Sequence, residues 1–146
     1  MRLNVQSDYA LLLLMHLAAN DGELVTIKQV ADRFRISQNH LMKVAHVLGR
    51  EGFIETIRGR SGGLRIARRP ETIRIGDVVR RMEGDFALVE CFPGGAAGCF
   101  IVPACRLKGV LREALEAFMS VLDRYTIGDL SANNPKLRKM LDSEAA

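Results

Sequence analysis

The chain has 146 residues, 48% of them hydrophobic and 26% charged, a balance that excludes wholesale disorder and leaves room for one domain with at most a short extension. Lys+Arg number 21 against Asp+Glu 17, a net +4 that fits an anionic partner, and three cysteines, Cys91, Cys99 and Cys105, crowd one short stretch. An odd number of thiols cannot all pair within one chain.

The most apolar run is Tyr9 to Ala19, interrupted only by His16. It is too short to span a bilayer, which takes about 20 residues, and Asn20-Asp21-Gly22 after it reads as a helix stop rather than a cleavage site. A buried helix in a cytoplasmic protein without membrane contact is the expectation. In that compartment clustered thiols point to metal or redox chemistry more than to disulfides.

Charge is uneven along the chain. Residues 28–81 hold 13 Lys/Arg against 5 Asp/Glu, a local +8, while the remainder is −4. Thr26 and Gln29 have capping-box spacing, and Ile27, Val30, Ala31 and Phe34 mark one apolar helix face. After a brief turn at Arg35-Ile36, Ser37 can cap a second helix whose apolar stripe is Leu41, Val44, Ala45 and Leu48. At 100° per residue, Asn39, Lys43, His46 and Arg50 lie almost opposite that stripe. Gly52 ends the helix. Two short helices, the second with a hydrogen-bonding outer face, have the form of a helix-turn-helix, although a plain helical hairpin with a solvated surface has it too.

The next segment favours DNA. Phe53–Ile57 and Leu64–Ile66 alternate as strands around Arg58-Gly59-Arg60-Ser61-Gly62-Gly63, a glycine-rich loop with a charged tip. A hairpin after a helix-turn-helix is the wing of a winged helix, and its narrow tip suits the minor groove. Gly59-Arg60-Ser61-Gly62-Gly63 also fits the G-x-S-x-G elbow of a hydrolase. All three histidines, His16, His40 and His46, precede Ser61, so the downstream histidine that chemistry needs is missing, the hydrolase reading is rejected and no enzyme is expected.

Arg74 to Met82 reads as a further helix, and residues 84–103 as a Gly-, Ala- and Pro-rich loop. From about Ala104 a long amphipathic helix carries Leu107, Val110, Leu111, Ala114, Leu115, Phe118, Val121, Leu122 and Tyr125 on one stripe. That stripe either packs back on its own chain or faces a second copy; a symmetric dimer suits a reader of paired half-sites. The tail from Ser131 reads as weakly ordered, with one helical turn around Lys136–Leu141. The expected fold is therefore mainly α with a small β-hairpin: a winged helix-turn-helix over 1–83, a cysteine loop over 84–105, a dimerisation helix over 106–130 and a tail over 131–146.

The cysteines are spaced C-x7-C-x5-C. Structural zinc sites use a close C-x2–4-C pair, which is absent here. Gly94, Gly95 and Gly98 let the backbone wrap a larger group, and an iron–sulfur cluster accepts widely spaced thiolates on such a loop. Three small buried hydrophobes are the bland alternative, but the segment lacks the periodic apolar pattern of a core element.

Several short pieces stand in a distinctive order: Ser7-Asp8-Tyr9-Ala10, Ser37-Gln38-Asn39-His40, Ile57-Arg58-Gly59 with Gly62-Gly63, Ile73-Arg74-Ile75-Gly76-Asp77, Pro103-Ala104-Cys105-Arg106-Leu107, and Tyr125-Thr126-Ile127-Gly128-Asp129-Leu130. With them, the chain resembles the iron–sulfur winged-helix repressors, the family that includes IscR, RirA and NsrR, and within it the nitric-oxide-sensing NsrR branch. The likeness runs from Met1 to about Leu130. It implies a homodimeric repressor on a double-stranded DNA operator, with a cluster, 4Fe–4S or else 2Fe–2S, on Cys91, Cys99 and Cys105. In that branch an aspartate near the start of the first helix of the other subunit is the fourth ligand, and Asp8 occupies that position. IscR-like members instead carry a histidine three residues after the last cysteine, where this chain has Lys108. The seven-residue gap between the first two cysteines is closer to RirA-like iron regulators, so iron or redox state stands beside nitric oxide as the signal.

The residues expected at the start of the recognition helix are Gln38, Asn39, His40 and Lys43, with Arg58 and Arg60 for the minor groove. Arg65, Arg68 and Arg69 are expected to meet phosphates or solvent. A cluster-bearing electron carrier is the main alternative from another class, and it leaves the polar helix face and arginine wing without a purpose. A cluster-free winged-helix regulator that senses oxidants through its thiols is a further one.

Overall fold

A computed structural model describes residues 1–20, 22–92 and 98–142. Asp21 of the expected helix stop, Gly94 and Gly95 of the expected wrapping loop, and the last four residues of the tail lie outside the described residues. Among the described residues, seven α-helices and one hairpin follow in the order α1 (Val5–Ala19), α2 (Ile27–Phe34), α3 (Gln38–Arg50), β1 (Ile54–Ile57), β2 (Gly63–Ile66), α4 (Ile75–Met82), α5 (Leu107–Asp123), α6 (Ile127–Ser131) and α7 (Pro135–Asp142).

The apolar run becomes α1, capped by Asn4, whose Oδ1 accepts a 2.7 Å hydrogen bond from the Ser7 amide. Because its apolar residues lie on every side, α1 is the central element: Ala10, Leu13, Leu14 and Leu17 are buried against α3, α4, α6 and β2. Among the described residues no helix is long and apolar enough to cross a membrane.

The capping box at Thr26 and Gln29 forms as the spacing predicts, and Val30 and Ala31 bury the inner face of α2. Arg35 then takes a left-handed conformation (φ 55°) and Ile36 is buried, which turns the chain sharply into α3. Leu41, Val44, Ala45 and Leu48 are all buried, as their spacing demands. The hairpin pairs antiparallel from Ile54↔Ile66 to Ile57↔Gly63, and Val25 adds a bridge to Leu64 on the other edge. Its loop closes with a hydrogen bond from the Gly62 amide to the Gly59 carbonyl; Gly59 has φ 112°, and a Cβ at Gly62 would strike the Ile57 carbonyl. The molecule is a winged helix-turn-helix with a long helix appended, mainly α with one small sheet.

Two parts of the second half differ from the sequence reading. The long helix stops at Asp123; Thr126 then opens α6 with a second capping box onto Asp129, and Ile127 is fully buried in the main core. The single helical turn expected around Lys136–Leu141 is a longer docked helix, α7, and to that extent the tail is better ordered than its composition suggests. Asn134 Oδ1 accepts from the Leu137 amide, Pro135 opens the first turn, and Leu141 is buried.

Candidate nucleic-acid interface and cysteine centre

Gln38, Asn39 and His40 form the first turn of α3 and Lys43 follows one turn on. All four are exposed, and among the described residues none makes a side-chain hydrogen bond or ion pair. His46 and Arg50 extend the same surface. A helix start that leaves amide, imidazole and ammonium donors unsatisfied fits insertion into a major groove, where base edges supply the partners.

Arg58 and Arg60 sit in the five-residue hairpin loop, exposed and without an intramolecular partner among the described residues. The arginines on the strand side behave differently. Arg65 makes a cross-strand ion pair of 2.8 Å with Glu55, which draws the Glu55 carboxyl below its ordinary range. Arg68 donates through Nη2 to the Glu51 carbonyl and through Nε to the Gly52 carbonyl, with its guanidinium 4.9 Å from the Phe53 ring centre. Arg68 therefore fastens the end of α3 to the strand β2. Arg69, 3.9 Å from Glu71, keeps most of its side chain in solvent; the sequence assigns all three arginines to phosphates or solvent.

Asp8 lies in the first turn of α1 and is exposed. The residue before it, Ser7, is fully buried and bonded to Glu83, the last residue before the cysteine segment. Sequence periodicity does not reveal that link, because Ser7 and Glu83 are 76 residues apart.

Cys91 and Cys105 are half-buried, Cys99 is exposed, and all three are free thiols. The Cys99 carbonyl accepts from the Val102 amide, and the Val102 carbonyl accepts from the Cys105 amide, so two successive tight turns join these cysteines. Residues 93–97, between Cys91 and Cys99, lie outside the described residues, and among the described residues no three His, Cys, Asp or Glu side chains are gathered as a metal group. Three unpaired soft donors outside the packed core match the thiolate chemistry of an iron–sulfur centre in donor type and fall one short of its usual four ligands.

The long helix divides its apolar stripe. Leu115, Met119 and Leu122 pack with Ile75 and Val79 of α4, while Leu107, Val110, Phe118, Val121 and Tyr125 expose 40–59% of their surface. One side of the helix thus packs back on its own chain, and the other side is left exposed. Arg80 grips Asp123 through two parallel hydrogen bonds of 2.7 and 2.6 Å, locking α4 to the end of α5. That fork holds the Asp123 carboxyl below its ordinary range.

The profile of the Rrf2 family, described as an iron-dependent transcriptional regulator, matches residues 3–133. The HTH-type transcriptional regulator NsrR of Bacillus licheniformis is 51% identical over 142 residues, 97% of this chain and 99% of that protein. The HTH-type transcriptional regulator NsrR of Bacillus subtilis is also 51% identical over 142 residues, 97% of each chain. Among solved structures, CymR, the global cysteine regulator of B. subtilis, superposes with a TM-score of 0.69 at 26% identity, covering 90% of this chain and 97% of that one.

Proposed function

Because the chain belongs to the Rrf2 family of iron-dependent transcriptional regulators, we propose that it is a homodimeric repressor whose iron–sulfur cluster senses nitric oxide. As a transcriptional regulator it is not an enzyme. The observation that carries the finer reading is the presence, in one chain, of an unsatisfied donor face on α3 and three free thiols beyond the winged helix.

In this reading Gln38 and Asn39 make bidentate contacts with base edges, His40 and Lys43 contact bases or phosphates beside them, and Arg58 and Arg60 enter the minor groove. The exposed side of α5 meets the same face of a second copy, since its four large apolar side chains, with Tyr125 just beyond the helix, call for cover. Such a dimer presents two recognition helices to two half-sites.

Cys91, Cys99 and Cys105 would hold the cluster, taken as 4Fe–4S, and Asp8 of the partner subunit would supply the fourth ligand. When bound, such a cluster would supply iron open to a small ligand such as nitric oxide. The chain's own part is mechanical. Asp8 adjoins Ser7, Ser7 is bonded to Glu83, and Glu83 ends α4. Loss of an Asp8 contact between subunits therefore acts at the joint where the reader domain meets the sensor segment. The C-x7-C spacing supports a second reading, in which iron supply or redox state is the signal sensed by the same ligands. A site of action on DNA places the protein in the cytoplasm.

Anaerobic purification tests the reading. The expected product absorbs in the visible, contains iron, and selects one sequence from random duplex DNA at moderate salt; Cys99→Ala loses the colour. A colourless wild-type protein with the same DNA selectivity would leave a cluster-free regulator, and a coloured protein without selectivity would leave an electron carrier.

A further inference from the structure

Every large apolar residue of α3 is turned inward except one. Leu41, Val44 and Leu48 are buried and Val47 is half-buried, whereas Met42 is 55% exposed. Met42 lies one turn after Gln38 and Asn39 and one turn before His46, so at helical spacing it is bordered by the donors of the recognition face. No hydrogen bond, ion pair or ring contact engages it among the described residues. More than half of this thioether chain is left uncovered by the protein, beside polar neighbours. Covered, it contributes apolar contact.

The major groove offers one apolar group, the C5-methyl of thymine. The amide and ammonium neighbours of Met42 suit the nitrogen and oxygen edges of the bases, and none of them can recognise a methyl. The flexible, polarisable methionine can. We propose that Met42 is a specificity-determining residue that packs on a thymine methyl within the operator half-site, next to the bases contacted by Gln38 and Asn39. This inference rests on the DNA-reading role of α3 proposed above and names the chemical group that the hydrogen-bonding residues leave unread.

The test uses the anaerobically purified full chain and the duplex that it selects from a random pool. Each dT of that duplex is replaced in turn by dU, which keeps the hydrogen-bonding pattern and removes the methyl. At one position per half-site, uracil is expected to weaken wild-type binding about three- to fivefold, the effect of exposing one methyl-sized group. Met42→Ala, a change at an exposed position, is expected to bind the thymine duplex correspondingly more weakly and to lose the uracil effect at that position. A wild type indifferent to uracil everywhere, or a Met42→Ala variant with the same uracil sensitivity, overturns the assignment while sequence-selective binding stands. Failure of the pool to yield any sequence instead overturns the DNA reading, and the assignment with it.

Discussion

Ser7 Oγ donates a 2.6 Å hydrogen bond to Glu83 Oε1, and this one oxygen also accepts from the Asn4 amide at 2.9 Å. The Asn4 side-chain amide donates in turn to the Met82 carbonyl. The start of α1, beside Asp8, and the end of α4, where the cysteine segment departs, are thus one hydrogen-bonded joint. Ser7→Ala leaves a carboxylate short of a donor at a buried contact, so unfolding free energy is expected to drop by about 1–3 kcal/mol. Urea unfolding measures this, and the operator response to nitric oxide should weaken in the same variant.

A second joint links the reader to α5. A Cβ at Gly76 would collide with Asp123 Oδ1, which Arg80 holds. Gly76→Ala is expected to cost about 1–3 kcal/mol through that clash. Asp123→Ala alone removes a partly exposed ion pair and costs about 1 kcal/mol or less. If the clash is the cause, the double variant is no less stable than Gly76→Ala, which denaturant titration of the four proteins decides.

On DNA, two classes of contact separate by salt. Asn39→Ala should lower affinity for the selected duplex by about 1–3 kcal/mol and relax preference at one base pair without altering salt dependence. Replacing both Arg58 and Arg60 by Ala should flatten the plot of log K against log salt by about 2 per protomer. Binding isotherms at four salt concentrations separate the two.

The buried His16 predicts a pH effect. Burial first, and the nearby Arg33 second, hold its pKa below 6.5, partly opposed by Asp142, and among the described residues its Nδ1 has no hydrogen-bond partner. A histidine with a depressed folded-state pKa takes up its proton more readily when unfolded. Its contribution is therefore complete above the ordinary value of about 6.5 and is lost as pH falls through the lower folded value. Wild-type stability should decline on acidification from pH 7 to 5, and His16→Gln should flatten that decline. Helix α7 is expected to loosen first, since Leu141 and Asp142 line the same cavity as His16 and Arg33 donates to the Met140 carbonyl.

Local chemistry was legible in the sequence. Thr26 with Gln29, the α3 stripe and the glycine hairpin each carry their instruction within a few residues, and each forms as read. Asn134-Pro135 carried one as well, a cap followed by a first-turn proline, hidden by the polar composition of the tail. Other features depend on distant partners. Arg68 reads as a phosphate contact or a solvated arginine, and its bonds to the Glu51 and Gly52 carbonyls, 17 and 16 residues away, are invisible to local pattern; Met119, left out of the α5 stripe, is its most buried member because α4 packs there. The Ser7–Glu83 joint belongs to the same class: neither residue has a periodic neighbour to announce it.

The account turns on whether an effector at the cysteines governs the grip of α3 on DNA. The most direct measurement is operator affinity of the anaerobically purified protein as nitric oxide is added stoichiometrically. A coupling of about 3 kcal/mol predicts that affinity falls roughly 100-fold, and that Asp8→Ala shows a much smaller fall. An operator affinity that nitric oxide leaves unchanged in the cluster-loaded wild type would contradict it.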